Sequence, residues 1–377
     1  MKAKSIKGKS ASEVKAALEK SMTDGFAPTV AIVFLEADIA HEEICSVLSE
    51  KGIQIFGASS GSNFTDGEIE ANSVVVLLLE IKQEYFQLRL ATAEKGTIKD
   101  FAEEIGRAGL AAFRKPAFLI VSGGISVDGD EIVEGIENVC GKGTTLFGGL
   151  ASDSLKMIRT YVFTNDQITD NGLIALLLDE EKISLTGKAI GGWRPVGIDH
   201  VITHSNGNIL YTIDNEPALQ FISRYTGVKD FFGPEISNVI LSANFQLQLQ
   251  RENKHPVMRT PMYANPDDFS IVFAGSLPQG SKVRLSMLPG FEVIEGALKD
   301  FAEYKNNQPE ADALIMFSCA GRQVSFGPFV SDEINGIQEI WNAPLAGFFC
   351  FGEIGRVEKS THEFHNMTCS LALLKEK

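Results

Sequence analysis

Arg322 stands just after the apolar run Leu314-Ile315-Met316-Phe317-Ser318 and the small pair Ala320-Gly321. From a strand end with that much room, a guanidinium can reach into a cleft and clamp a carboxylate through two parallel hydrogen bonds. A surface arginine at a strand end is the plainer alternative. Asp153 follows Ser152 in a small-residue loop and could hold a ligand amine or merely cap its own turn. Glu353 lies in Phe351-Gly352-Glu353-Ile354-Gly355, and a charge among apolar residues must be paired or functional. An ion pair with Arg322 or Arg356 would also explain it. Guanidinium and acid together suit a zwitterion. The expectation is a cleft holding Arg322 with at least one of Ser152, Asp153 and Glu353.

Nucleophiles are weaker candidates. Gly57-Ala58-Ser59-Ser60-Gly61 matches the G-x-S-x-G pattern, but that motif needs a helix at once after the turn. Here Ser62-Asn63-Phe64-Thr65-Asp66-Gly67 follows, with turn formers and no helical period. A hydrolase using Ser59 or Cys319 stays as an alternative, since catalytic partners can be distant in sequence. No Walker loop and no complete triad is visible, so no enzyme activity is expected. Asp128-Gly129-Asp130-Glu131 lacks the remaining ligands of a calcium loop and reads as acids opening a helix. His41 and Cys45 stand one helical turn apart without further ligands. His362 and His365 are three apart on a strand and face opposite sides of it. No metal site is expected.

Three segments could position these residues, and they repeat one pattern: apolar strand, polar loop, helix, then a short strand running into glycine-rich residues. They span residues 30–61, 118–153 and 314–353. Each is followed by another apolar strand, at 73–81, 172–178 or 368–374. A small-residue loop at the end of a buried strand lets a ligand approach the backbone. Gly57, Gly148 and Gly347 are therefore expected in loops at strand ends. Helical faces recur at 12–21, 40–51, 98–113, 130–140 and 291–304. Strands are expected near 269–274 and 282–287, with a hairpin formed by 200–203 and 208–213. The fold class is α/β: a two-domain mixed β-sheet protein with repeated strand-helix-strand units. The boundary falls within 178–195, giving domains at 27–190 and 191–374.

Composition excludes several classes. The chain has 377 residues, too many for one ordinary core, and a formal charge of −15, which argues against a nucleic-acid partner. The longest apolar runs are strand-sized and too short to cross a bilayer. Residues 1–7 are basic with no apolar run behind them, unlike a signal peptide. Five cysteines without paired spacing fit a reduced, cytoplasmic setting.

The chain resembles the FIST family of sensory signal-transduction modules, which have an N-terminal and a C-terminal domain. The resemblance rests on Leu146-Phe147-Gly148-Gly149 with Ala151-Ser152-Asp153, on Gly191-Gly192-Trp193-Arg194-Pro195, and on Gly207-Asn208 with Asp214-Asn215-Glu216-Pro217. It continues in Phe317-Ser318-Cys319-Ala320-Gly321-Arg322, in Gly347-Phe348 with Phe351-Gly352-Glu353, and in Phe364-His365-Asn366-Met367-Thr368. It implies a sensor of amino-acid-like ligands that modulates a separate histidine kinase or cyclic-dinucleotide enzyme. Ligand-binding candidates are then Ser59, Ser152, Asp153, Ser318, Cys319, Arg322, Glu353 and Asn366. One branch that this chain resembles binds haem and senses nitric oxide. Haem needs a single axial histidine, for which His204, His255 and His365 are candidates.

Overall fold

The computed structural model describes residues 1–92, 96–226, 246–252, 254–287, 290–357 and 361–377. Three six-stranded sheets of identical plan form the body. Edge to edge, the first runs Lys2–Gly8, Val74–Glu80, Val30–Glu36, Gln54–Ser60, Val162–Phe163, Ile168–Thr169. The second runs Phe86–Thr92, Gly172–Asp179, Pro116–Gly123, Leu146–Leu150, Glu353–Gly355, Glu363–His365. The third runs Ile183–Ile190, Cys369–Glu376, Ala313–Cys319, Leu345–Cys350, Asn63–Thr65, Glu68–Glu70. In each sheet the third and fourth strands are parallel and joined through helix, as a βαβ unit requires. The mixed α/β class with repeated units is as the sequence implied. Each repeat is longer than its sequence pattern, starting one strand and one helix earlier.

The hairpin after each fourth strand leaves its own sheet. Residues 63–70 follow the first sheet's strand and complete the third sheet. Residues 162–169 pass from the second repeat to the first sheet, and strands Glu353–Gly355 and Glu363–His365 from the third to the second. The three repeats thus close a ring of exchanged hairpins. Alternate residues of all three sheets meet in one inner core, where the ring of Phe34 of the first repeat packs, tilted, 4.6 Å from that of Phe348 of the third. The opposite faces lie under helices, including His41–Ser49, Ile98–Ala112, Gly129–Cys140, Glu292–Lys305 and Val330–Trp341. Burial on both faces explains the unbroken apolar runs at 74–79 and 173–178.

Between the first strand and first helix of the third repeat sits an inserted sheet. Its order is Val257–Arg259, Gln246–Leu249, Lys282–Met287, Arg194–Asn206, Ile209–Ile213, Ile271–Phe273, Pro261–Ala264. Its two edge strands are consecutive in the chain, separated by Thr260, so the sheet curls on itself around Ile202, Leu247, Phe273 and Val283. Helix Ala218–Thr226 packs Leu219, Phe221 and Ile222 into that core.

One expectation fails. Gly57, Gly148 and Gly347 are not in loops at strand ends; they lie within strands Gln54–Ser60, Leu146–Leu150 and Leu345–Cys350. At two of them the incoming hairpin lays an aromatic ring on the missing side chain. Phe163 is opposite Gly57 and Phe64 opposite Gly347, and a Cβ would stand 2.3 Å and 2.2 Å from those rings. These glycines serve packing. Gly57→Val should destabilise the protein by about 1–3 kcal/mol, as overpacking does. In a denaturant-based double-mutant cycle, Phe163→Ala should recover part of that loss; strict additivity would contradict the contact.

Candidate functional site

Strands Ala313–Cys319 and Leu345–Cys350 end side by side on two directly opposed cysteines. Their carboxyl ends open on a small pocket, at the usual place for a ligand beside parallel strands. Three parts of the molecule line it: Cys319, Ala320, Gly321, Cys350 and Phe351 of the third repeat, Leu155 and Met157 of the second, and Thr260, Pro261 and Met262 of the inserted sheet.

Beneath the cysteines lies Glu353, fully buried. Its carboxyl accepts from the Thr368 amide at 3.1 Å, the Thr368 hydroxyl at 2.8 Å and the Cys350 thiol at 3.3 Å. Among the described residues it has no ion pair, so neither Arg322 nor Arg356 explains it. Burial pushes it up to about 8. Burial, with Glu353 adding to it, likewise raises the Cys319 and Cys350 thiols well above their ordinary value. They stay protonated, and a Cys319 thiolate nucleophile is not supplied. Asn366 ties two walls together, accepting from the Thr260 amide at 3.1 Å and donating to the Phe351 carbonyl at 3.3 Å.

Asp153 holds the wall of the second repeat. Its carboxylate accepts from the amides of Met157, Ile158 and Arg159 at 2.7–3.0 Å. This pins a loop in which Ser154, Leu155 and Met157 all have positive φ. Such strain persists only when surroundings hold it. Ser152 knots the three repeats: its hydroxyl donates to the Phe349 carbonyl and accepts from the Gly61 amide at 2.9 Å. The Ser59 hydroxyl donates to the Ser152 carbonyl at 3.1 Å and accepts from the Tyr161 amide at 2.9 Å. Ser59 is buried near the end of strand Gln54–Ser60 with backbone partners, and strand Asn63–Thr65 follows instead of the helix a nucleophile elbow needs. Ser318 is buried, and its hydroxyl finds no partner among the described residues.

Arg322 corrects the expectation of a ligand clamp. It is fully buried, with its fork on Glu333: Nε donates to Oε2 at 3.1 Å and Nη2 to Oε1. Nη1 donates to the carbonyls of Gly191 and Met367 at 3.0 and 3.1 Å. Trp193 and Phe326 cover the guanidinium. Burial works against its charge, and Glu333 outweighs burial. Arg322 is therefore not in a cleft with Ser152, Asp153 or Glu353. The sequence did carry a sign of Glu333, an acid between Val330, Ile334 and Ile337 on an otherwise apolar helical face.

A second and larger cavity, an open cleft, lies between residues 188–194 and helix Glu292–Lys305. Lys188, Arg194 and Lys299 line it with Glu292, Asp300 and Glu303. Lys188 faces Asp300 at 3.9 Å. Sequence reasoning missed this group, because surface charges on a helix carry no local mark of a cleft.

The haem candidates do not converge on a porphyrin site. His204 is exposed and stacked on Tyr211, and His365 is buried, held down to about 4 by burial, and lines neither cavity. His255 is exposed on the cleft, where charged side chains alternate with apolar ones such as Ile190, Val293 and Ala297.

Comparison with known families places the chain. The FIST N domain matches residues 29–216 and the FIST C domain residues 218–356. The chain belongs to the FIST family. FIST domains are sensory domains of signal transduction. The two matches meet just before helix Ala218–Thr226 of the inserted sheet. The chain is also similar to an uncharacterized protein of Mycobacterium bovis, 23% identical over 248 residues, and to one of Mycobacterium tuberculosis, 24% identical over 247 residues. Those alignments cover 61% of this chain and 60–61% of the relatives, so the FIST chain spans about three fifths of their length.

Glu353 makes stability depend on pH. Its folded value of about 8 exceeds the ordinary 4.5, so the folded state keeps a proton that the unfolded state releases between those values. Its stabilising contribution is complete below about 4.5 and is lost as pH rises through about 8. Glu353→Gln should therefore gain stability relative to the unaltered chain from pH 5 to pH 8, in denaturation curves taken at each pH. Parallel pH profiles would contradict the assignment.

Proposed function

We propose that this FIST chain is a non-catalytic sensor that binds an amino-acid-like ligand in the cleft and modulates a separate histidine kinase or cyclic-dinucleotide enzyme. The carrying observation is the mixed charge of that cleft. The side chains of Arg194 and Lys299 make no hydrogen bond or ion pair with the described residues, and neither do those of Glu292 and Glu303. A zwitterion needs such a set, a cation for its carboxylate and an acid for its amine. The Gly191 carbonyl in the cleft wall is held by buried Arg322, so movement of that wall is felt in the third repeat. A ligand shifts a sensor only through different affinities for two states, and Gly191-Gly192 beside anchored Trp193 supplies a hinge. The absence of turnover in this reading is supported by the engaged Ser59 and protonated Cys319. The cytoplasm is its expected place, and no helix among the described residues is long and apolar enough to cross a membrane.

Calorimetric titration of the chain with the common amino acids tests this. One class should bind, and Arg194→Ala with Lys299→Ala should weaken it at least about tenfold, the loss of roughly 1.4 kcal/mol. Because both side chains are exposed, the unliganded melting temperature should stay unchanged. Binding that ignores this pair, or steady hydrolysis lost in Ser59→Ala or Cys319→Ala, would overturn the proposal.

A further inference from the structure

The pocket at the ends of the third repeat's strands has a chemistry unlike the cleft. Four of its lining residues carry sulfur, Cys319, Cys350, Met157 and Met262, and none is charged. A fifth sulfur lies beside it, since the Cys319 thiol donates to Met367 Sδ at 3.8 Å. The two cysteines occupy opposed positions on adjacent parallel strands, so both side chains leave the same sheet end. Both are free, buried thiols.

Thiolate and thioether donors are soft and select Cu(I) over harder ions. Zinc wants four nitrogen, oxygen or sulfur ligands in a tetrahedron. Among the described residues no group of three or more His, Cys, Asp or Glu side chains is placed to supply them. Two cysteines with methionines around them suit an ion of low coordination number instead.

We propose that this pocket binds a soft monovalent cation, Cu(I), through the sulfurs of Cys319 and Cys350, with methionine thioethers completing the shell. The ion enters and stays as Cu(I), so no electron is transferred. Before the ion binds, both thiols are protonated. Each cysteine Cu–S bond forms as that S–H bond breaks, so two protons leave to water, while the thioethers donate a lone pair and lose no proton. Met157 reaches the pocket from the strained loop that Asp153 pins, and Met262 from the inserted sheet, so a bound ion would link the second repeat, the third repeat and the insertion. Asp153 is here a positioning residue for Met157.

The test is titration of the whole, metal-free, reduced chain with Cu(I) under anaerobic conditions, in competition with bicinchoninate. The expected result is one Cu(I) per chain. Cys319→Ala and Cys350→Ala should each weaken it at least about 100-fold, beyond the usual effect of outer partners. Cys45→Ala and Cys140→Ala should leave it unchanged. X-ray absorption of the unaltered chain should show a shell of sulfur alone, a readout that stands even if a variant fails to fold. No Cu(I) bound by the unaltered chain, nitrogen or oxygen in the shell, an affinity in Cys319→Ala or Cys350→Ala equal to that of the unaltered chain, or displacement by equimolar Zn(II) would each overturn the proposal.

Discussion

The exchange of hairpins among the three repeats is the constraint on which the rest depends. Each sheet's fourth strand would otherwise present an open edge, a costly and association-prone feature. Hairpin 63–70 closes the third sheet, 162–169 the first, and the strand pair Glu353–Gly355 and Glu363–His365 the second. No repeat is complete without its neighbours. The strand ends are therefore brought to one junction, where Ser152 joins the backbones of Gly61 and Phe349. The cysteine pocket exists because that junction places the loop after Asp153 over the ends of the third repeat's strands.

Arg322 and Glu333 form the second fixed point. Breaking such a buried pair by removing one partner typically costs about 3–5 kcal/mol, yet replacing both with apolar groups is often neutral. Stability alone does not account for it. What an apolar pair could not do is hold two backbone carbonyls, those of Gly191 in the cleft wall and Met367 in the turn before the last strand. Next to Met367 is Thr368, which holds Glu353 beneath the cysteines. The cleft and the pocket thus share one chain of contacts.

The local elements were legible because they depend on local pattern. Helix periodicity marked residues 98–113, observed as Ile98–Ala112, and strand Lys282–Met287 was read with its observed ends. The ring was not legible, since the pairing of Asn63–Thr65 with Leu345–Cys350 leaves no signal within either segment. Gly57 and Gly347 read as loop residues because small neighbours look like a loop locally; the rings that fill their space, Phe163 and Phe64, come from other repeats. The site residues divide the same way. Small flanks made room for Arg322 to be a ligand clamp, but its partner was Glu333 on the following helix. Asp153 behaved as its turn chemistry allowed, and Glu353 was an acid among apolar residues whose answer was thiols and a threonine rather than a cation.

On the proposed reading, ligand binding in the cleft is transmitted through Arg322 to the third repeat. Amide hydrogen exchange of the whole chain, with and without the amino acids that bind, tests it most directly. Protection should rise at 188–194 and 292–303 and, in step with them, at 366–369, with the first sheet's strands unchanged. Protection confined to the cleft walls, or absent from them, would contradict the claim.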